Sequence, residues 1–311
     1  MTNQKEILIV EDLGIPHKNF ENLSKEKQVD YKLIWEKSAA NFSKVEIIIN
    51  VKKTLDQDFL QQFPNLKLIA VAFTGYDSVD LKYCKENNIS VYNVPAYSTN
   101  AVTELAIGLT IALLREIPKS NEIIRLEKWS LKPGLELFRK TIGILGTGKI
   151  GINTARVFKA LGCELIGFSR TERQEFKDLG GKYISDKLEF FGKADIISVH
   201  LPANEKTKNT VGKEELKAMK KTAFIINTAR GAIIDEKALI QSLENNEIAG
   251  AGIDVFEKEP ISAANKLLKL NNTVLTPHIA YKTEEALQRR AEVTIKNILD
   301  FTNHIEENKV N

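Results

Sequence analysis

Cysteine is scarce. Cys84 and Cys163 are the only two in 311 residues, and neither sits in the spacing of a metal site or a disulfide framework. A stapled scaffold and a metal centre are therefore not expected; both thiols read as reduced structural residues, and the cytoplasm is the expected address. Long apolar runs are missing as well. The longest, Leu105 to Leu114, is about half of the ~20 residues needed to cross a bilayer, so no membrane role is expected. Polar Met1 to Glu6 lead straight into an apolar strand, without the pattern of an export signal. Neither sign of charge dominates: 44 Lys and Arg against 41 Asp and Glu give +3, interleaved along the chain. No basic stripe asks for nucleic acid. With 43% hydrophobic and 27% charged residues, the chain reads as a folded globular protein, and its length predicts two domains.

Short apolar runs alternate with helix-patterned stretches. Early strands are expected at Ile7 to Val10, Tyr31 to Trp35, Val45 to Ile49 and Leu66 to Ala72, with helices such as Lys18 to Lys27 and Asp56 to Phe63 between them. That order predicts an α/β fold with a parallel sheet covered on both faces. Phe73-Thr74-Gly75-Tyr76-Asp77 follows the fourth run, where a parallel strand delivers its C-terminal end. Its backbone N–H groups suit a carboxylate; a plain strand-to-helix loop is the alternative. Ser98, Thr99 or Asn100 can cap the next helix, about Ala101 to Glu116, which is apolar nearly all round and expected to be buried. Pro118 interrupts it, and Lys119 to Lys128 resumes. Trp129 to Arg139 reads as an arm whose Trp129 and Phe138 either meet a second subunit or close a domain interface.

The second α/β unit starts with TIGILGTGKIG, Thr141 to Gly151. One buried strand runs into a GxGxxG and then into a helix. Gly146 permits the turn, Gly148 lets a pyrophosphate approach, and Gly151 lets helix and strand pack. Lys149 and Ile150 open the helix, whose unsatisfied N–H groups favour phosphate. Six strands are expected: Ile142 to Leu145, Glu164 to Phe168, Asp195 to His200, Thr222 to Asn227, Ile248 to Ile253 and Thr273 to Leu275. Helices are expected at Ile150 to Leu161, Glu172 to Leu179, Lys213 to Met219 and Asp235 to Glu244. A last helical pattern, Glu284 to Ile305, returns to cover the first domain.

The second of those strands ends Ser169-Arg170-Thr171-Glu172-Arg173, where a ribose-binding acid is expected. An arginine pairs with a 2′-phosphate and Ser or Thr can donate to it, so NADP(H) is expected in preference to NAD(H). The alternative leaves the arginines solvated and gives the ribose to Glu172. Three later strand ends carry Arg230, Glu259 and His278. Hydride reduction of a carbonyl needs a proton donor and a positive group near the oxygen. His278 suits the first task, Glu259 can stabilise its imidazolium, and Arg230 can grip a 2-oxo carboxylate and polarise the ketone. His17 and His304 fall in polar stretches, and His200, beside Leu201-Pro202, reads as lining the cofactor.

These residues resemble the D-isomer-specific 2-hydroxyacid dehydrogenases. The resemblance covers nearly the whole chain and rests on GTGKIG at Gly146, ADIISVHLPANEKT at Ala194, INTARGAIID at Ile226, AGIDVFEKEP at Ala251 and TPHIA at Thr276. It implies two doubly wound parallel-sheet domains. A Rossmann dinucleotide-binding domain, residues 99–280, would be inserted into a flavodoxin-like substrate-binding domain, 1–98 plus 281–311, with the active site in the cleft and a homodimer as the assembly. It also implies His278 as acid/base, Glu259 as its partner, Arg230 as the substrate-binding arginine, and backbone at Thr74-Gly75 on the substrate carboxylate. Asp254, Thr228, Ala229, His200, Pro202 and Thr207 would lie along the cofactor, as would Leu201 and Ala280 beside them. Phe73, Tyr97 and Tyr281 would wall a pocket for a small side chain, which favours glyoxylate or hydroxypyruvate among small 2-oxo or 2-hydroxy acids. Tyr281-Lys282-Thr283 departs from the glycine- and serine-rich turn of many members. The rival readings are a nucleotide-sensing protein of the corepressor branch, and a dehydrogenase of another small acid.

Overall fold

The computed structural model describes residues 5–35, 37–129 and 133–311. The chain divides into two compact units, Met1–Ser98 with Lys282–Asn311, and Thr99–Tyr281. In the first, strands β1 (Glu6–Ile9), β2 (Lys32–Ile34), β3 (Val45–Asn50), β4 (Leu68–Val71) and β5 (Ser90–Asn93) form one sheet in the order β2-β1-β3-β4-β5. Every pair is parallel. This is the flavodoxin-like order. Ile47, Ile48 and Ile49 are all fully buried, because helices cover both faces of a parallel sheet and leave no polar side to alternate with. α1 (His17–Glu26), α2 (Gln57–Leu60) and α3 (Leu81–Glu86) connect these strands.

The second unit opens with α4 (Thr99–Leu114) and α5 (Ile117–Arg125). α4 is not buried all round, as its composition predicts: Glu104 and Gly108 are exposed and Ile111 to Leu113 half-buried, while Ala106, Leu109 and Leu114 face the core. Pro118 does not resume a broken helix but starts a new one. Glu116 turns into the left-handed region, and Pro118 takes a first-turn position where no N–H is needed. Of the expected arm, Ser130 to Lys132 lie outside the described residues; Trp129 is 90% and Phe138 59% exposed.

Seven parallel strands follow, not six: β6 (Thr141–Leu145), β7 (Glu164–Phe168), β8 (Lys182–Tyr183), β9 (Ile196–Val199), β10 (Phe224–Asn227), β11 (Gly250–Ile253) and β12 (Thr273–Leu275), in the order β12-β11-β10-β9-β6-β7-β8. This is the Rossmann order with one more strand. β8 has only two residues, too few to show a period; for α8 (Lys187–Lys193), also not expected, the Asp186 cap, accepting from Glu189 N–H at 2.7 Å, is the one local signal. α4, α6 (Lys149–Ala160) and α7 (Gln174–Asp178) cover one face of the sheet. α8, α9 (Lys213–Ala218) and α10 (Glu236–Glu244) cover the other. Neighbouring strand residues divide between the two cores, Ile196 and Ile226 facing one, Ile197 and Ile225 the other. α11 (Glu284–Thr302) is capped by Thr283, whose hydroxyl accepts from Ala286 N–H at 3.2 Å, and packs on β4, β5 and α1 of the first unit.

Candidate active site

Six strands of the second unit end level. Phe168, Leu145, Val199, Asn227, Ile253 and Leu275 are Cα partners along a single row. The residues that follow them are Ser169, Gly146, His200, Thr228, Asp254 and Thr276. Parallel strands all deliver their C-terminal ends to the same rim, and the register makes that rim straight. The sheet reverses its winding between β6 and β9, the switch point at which such sheets bind ligands.

Gly146 turns with φ 97°, and a Cβ there would stand 2.8 Å from the His200 carbonyl oxygen. A Cβ on Gly151 would stand 2.1 Å from the Gly146 carbonyl oxygen, so the first turn of α6 rests directly on the loop. At Gly148, by contrast, nothing lies within 4 Å of an added Cβ. This open backbone at the start of a twelve-residue helix fits a pyrophosphate. Beyond β7, Ser169 is half-buried and Arg170, Thr171 and Arg173 are exposed, while Glu172 is paired with Lys177 at 2.6 Å. Exposed Lys149 and half-buried Ile150 begin α6.

His200 Nε2 lies 2.8 Å from Ser198 Oγ, and burial pushes the His200 pKa down to about 4, so its ring is neutral at neutral pH. Leu201 contacts the space above Gly146. Thr207 closes the turn after it by donating to the Pro202 carbonyl at 2.5 Å. In the next loop Asn227 braces both neighbours: Oδ1 accepts from Ala229 N–H at 3.0 Å and Nδ2 donates to the Arg230 carbonyl at 2.9 Å. Arg230 Nη1 donates to the Ala229 carbonyl at 2.8 Å. Among the described residues the buried Thr228 hydroxyl has no hydrogen-bond partner, which suits a polar ligand at this rim.

Asp254 is fully buried, and its carboxylate gathers the chain around His278. Oδ1 accepts from Thr276 Oγ1 at 2.6 Å and Ile279 N–H at 2.9 Å; Oδ2 accepts from Ala280 N–H at 2.9 Å. Its carbonyl takes His278 N–H at 2.8 Å, and His278 itself adopts φ 52°. Burial raises the Asp254 pKa, opposed by those three hydrogen bonds and by His278. Glu259 meets His278 directly: Oε2 lies 2.5 Å from Nδ1, and Oε1 accepts from Phe256 N–H at 3.1 Å. The pair is mostly shielded, with side chains 15% and 33% exposed for His278 and Glu259. Tyr281 stands edge-on to the His278 ring, centroids 5.8 Å apart.

Sequence reasoning assigned no role to Gly231, Asn227, Thr276, Thr147 or Tyr183. Gly231 joins the arginine loop to the glutamate loop: a Cβ there would fall 2.0 Å from the Phe256 carbonyl. A glycine directly after the candidate arginine was its only signal. The four remaining candidates belong to the first unit. Phe73 and Tyr97 rings lie 6.1 Å apart, Thr74 Oγ1 donates to the Val94 carbonyl at 3.0 Å, and Asn93 Nδ2 donates to the Thr74 carbonyl at 2.7 Å, which sets the half-buried Gly75 beside them.

The family model for the D-isomer specific 2-hydroxyacid dehydrogenase NAD binding domain matches residues 107–280. A glyoxylate reductase of Korarchaeum cryptofilum is 34% identical over 305 residues, 92% of this chain and 90% of that protein. Among solved structures, D-lactate dehydrogenase from Aquifex aeolicus complexed with NAD and lactic acid superposes with a TM-score of 0.87 at 28% identity, covering 98% of this chain and 99% of that one. An acyclic imino acid reductase in complex with NADPH and D-Arg gives a TM-score of 0.87 at 29% identity, over 98% and 100% of the two chains.

Proposed function

The chain belongs to the D-isomer specific 2-hydroxyacid dehydrogenases, and from that premise we propose that it reduces a small 2-oxo acid, glyoxylate or hydroxypyruvate, with NADPH. The observation that carries this reading is the 2.5 Å bond between His278 and Glu259 on the rim that also holds Arg230. A bound nicotinamide coenzyme supplies the hydride. His278, its Nδ1 held by Glu259, gives a proton from Nε2 to the ketone oxygen. Glu259 balances the imidazolium and fixes the ring. Arg230 offers its planar fork to the substrate carboxylate and draws charge from the carbonyl. In the first unit, backbone N–H groups at Thr74 and Gly75 suit a carboxylate and the Phe73 and Tyr97 rings suit a small side chain; in the second, Tyr281 stands against His278.

Gly148 and the first turn of α6 hold the pyrophosphate, Gly146 and Gly151 shape the turn beside it, and Thr228, Ala229, His200 and Asp254 line the nicotinamide half. The coenzyme preference rests on Ser169, Arg170 and Arg173 at the end of β7, and on Glu172 being engaged by Lys177. A homodimer formed through α5 and the following arm accounts for the exposure of Ile117, Ile124, Leu126 and Trp129. The buried free thiols Cys84 and Cys163 suit the reducing cytoplasm.

NADPH and NADH oxidation with glyoxylate, hydroxypyruvate, pyruvate and bulkier 2-oxo acids tests the reading. The highest kcat/KM is expected for NADPH with one of the first two. A higher value with NADH removes the coenzyme preference, and turnover on none of them favours a nucleotide-sensing protein. Sedimentation should give a dimer that Trp129→Glu weakens.

A further inference from the structure

The two-residue strand β8 exists to seat one side chain. Its register with β7 sets Lys182 beside Ile166 and Tyr183 beside Gly167. The Tyr183 ring packs on Phe176 with centroids 5.1 Å apart. A Cβ on Gly167 would come within 2.8 Å of Phe176 and 3.2 Å of Tyr183, and one on Gly181 within 2.4 Å of Phe176, so the surrounding chain leaves room for this ring pair. The Tyr183 hydroxyl accepts from Arg173 N–H at 2.9 Å and donates to Thr147 Oγ1 at 2.7 Å. Thr147 is 1% exposed and donates in turn to the Thr171 carbonyl at 3.4 Å. The protons run in one direction, from Arg173 through Tyr183 and Thr147 to Thr171, so each hydroxyl both gives and receives.

We propose that Tyr183 and Thr147 form a clasp that sets which nicotinamide dinucleotide this chain accepts. The clasp grips Thr171 and Arg173 and ties them to the middle residue of the Gly146–Gly148 turn, so the segment that meets the 2′ substituent is fixed against the one that meets the pyrophosphate. Glu172, between the gripped residues, is the acid able to bind a ribose diol, and it is paired with Lys177, whose Nζ stands 5.9 Å from the Tyr183 ring centroid. Arg170 and Arg173 flank it, exposed. A 2′-phosphate finds guanidinium groups there; an unmodified 2′-hydroxyl finds its carboxylate already engaged. Tyr183 and Thr147 act through the loop, as positioning residues, and this inference rests on the coenzyme site proposed above.

The test uses coenzyme fragments, 2′-phospho-ADP-ribose and ADP-ribose, titrated calorimetrically into the full chain and into Tyr183→Phe and Thr147→Val. Both variants keep the bulk and remove a hydroxyl. Each is expected to weaken the phosphorylated fragment by about tenfold and the other by less than about threefold, with the same selective change in KM rather than kcat for NADPH. Lys177→Met, which releases Glu172, should tighten ADP-ribose. Equal effects on both fragments, or none, overturn the clasp. Should Tyr183→Phe fail to fold, Thr147→Val decides alone. If the unaltered chain prefers ADP-ribose, the NADPH reading fails separately. The clasp then stands if the variants still change the ratio of the two affinities, and falls if the ratio is constant.

Discussion

Gly231→Ala moves the His278–Glu259 pair without touching it. The new Cβ would stand 2.0 Å from both the carbon and the oxygen of the Phe256 carbonyl, and 2.6 Å from Glu257 N, all of them backbone. Side-chain repacking cannot relieve a contact with main chain, so the loop at Val255 to Glu259 must retreat by about 1.5 Å to restore van der Waals distance. Phe256 N–H holds Glu259 Oε1 at 3.1 Å, and Glu259 Oε2 holds His278 at 2.5 Å. The first ~1 Å of that retreat already stretches the latter to the limit of hydrogen bonding. Misplacement of that size costs roughly 100-fold in rate. The overpacking itself costs about 1–3 kcal/mol, equivalent to about 2–4 °C of Tm per kcal/mol for a unit of this size. The assay is kcat/KM for NADPH with glyoxylate, alongside calorimetric affinity for 2′-phospho-ADP-ribose and a melting curve. The expected result is a large loss of kcat/KM, a modest loss of Tm and fragment affinity within about threefold, because the Gly146 turn is remote from the change. Turnover within twofold of the unaltered chain at the same Tm refutes the link between Gly231 and the His278–Glu259 pair.

Gly148→Ala and Gly151→Ala should separate ligand space from packing space. The first meets nothing within 4 Å, so Tm holds while dinucleotide affinity falls at least about tenfold; the second meets the Gly146 carbonyl oxygen at 2.1 Å and destabilises the unit. Acid should weaken the fold through His200. Its native pKa of about 4 lies below the ordinary 6.5, so the native state binds fewer protons between these values. Its contribution is complete above pH 6.5 and is lost as pH falls toward 4, to a total of about 3 kcal/mol. His200→Gln should flatten the denaturant midpoint across that window, and an unchanged slope contradicts the assignment. Asp254 works in the opposite sense, since its raised pKa makes the native state hold its proton more tightly than the unfolded chain does. Burial pushes both thiols up to about 11, so at pH 8 about one in a thousand is thiolate and native Cys84 and Cys163 should resist iodoacetamide. Rapid labelling of the folded chain, read by mass spectrometry, contradicts that.

What the sequence disclosed and what it hid follow from how far each feature's cause lies along the chain. Ile47 to Ile49 and Phe224 to Ile226 are legible because burial on both faces writes itself as a continuous apolar run. Gly146 to Gly151 is legible because turn, open backbone and helix start are consecutive. Placing Arg230, Glu259 and His278 on neighbouring loops needed only the expectation that parallel strands end together. Gly231, Tyr183 and Asp254 are different. The reason for Gly231 is the carbonyl of Phe256, that for Tyr183 is a hydroxyl 36 residues away, and Asp254 braces Ala280 across 26. No local period encodes those contacts. Element ends differ by one to three residues for the ordinary reason that capping, not hydrophobicity, decides them.

The central claim is that His278, oriented by Glu259, moves the proton. The most direct measurement is kcat of His278→Asn with NADPH and the best 2-oxo acid, together with its affinity for the coenzyme fragment. A fall of at least about 100-fold in kcat with affinity unchanged within about threefold is the expected result. A kcat within about tenfold of the unaltered chain, with the variant folded and the coenzyme fragment bound, contradicts it.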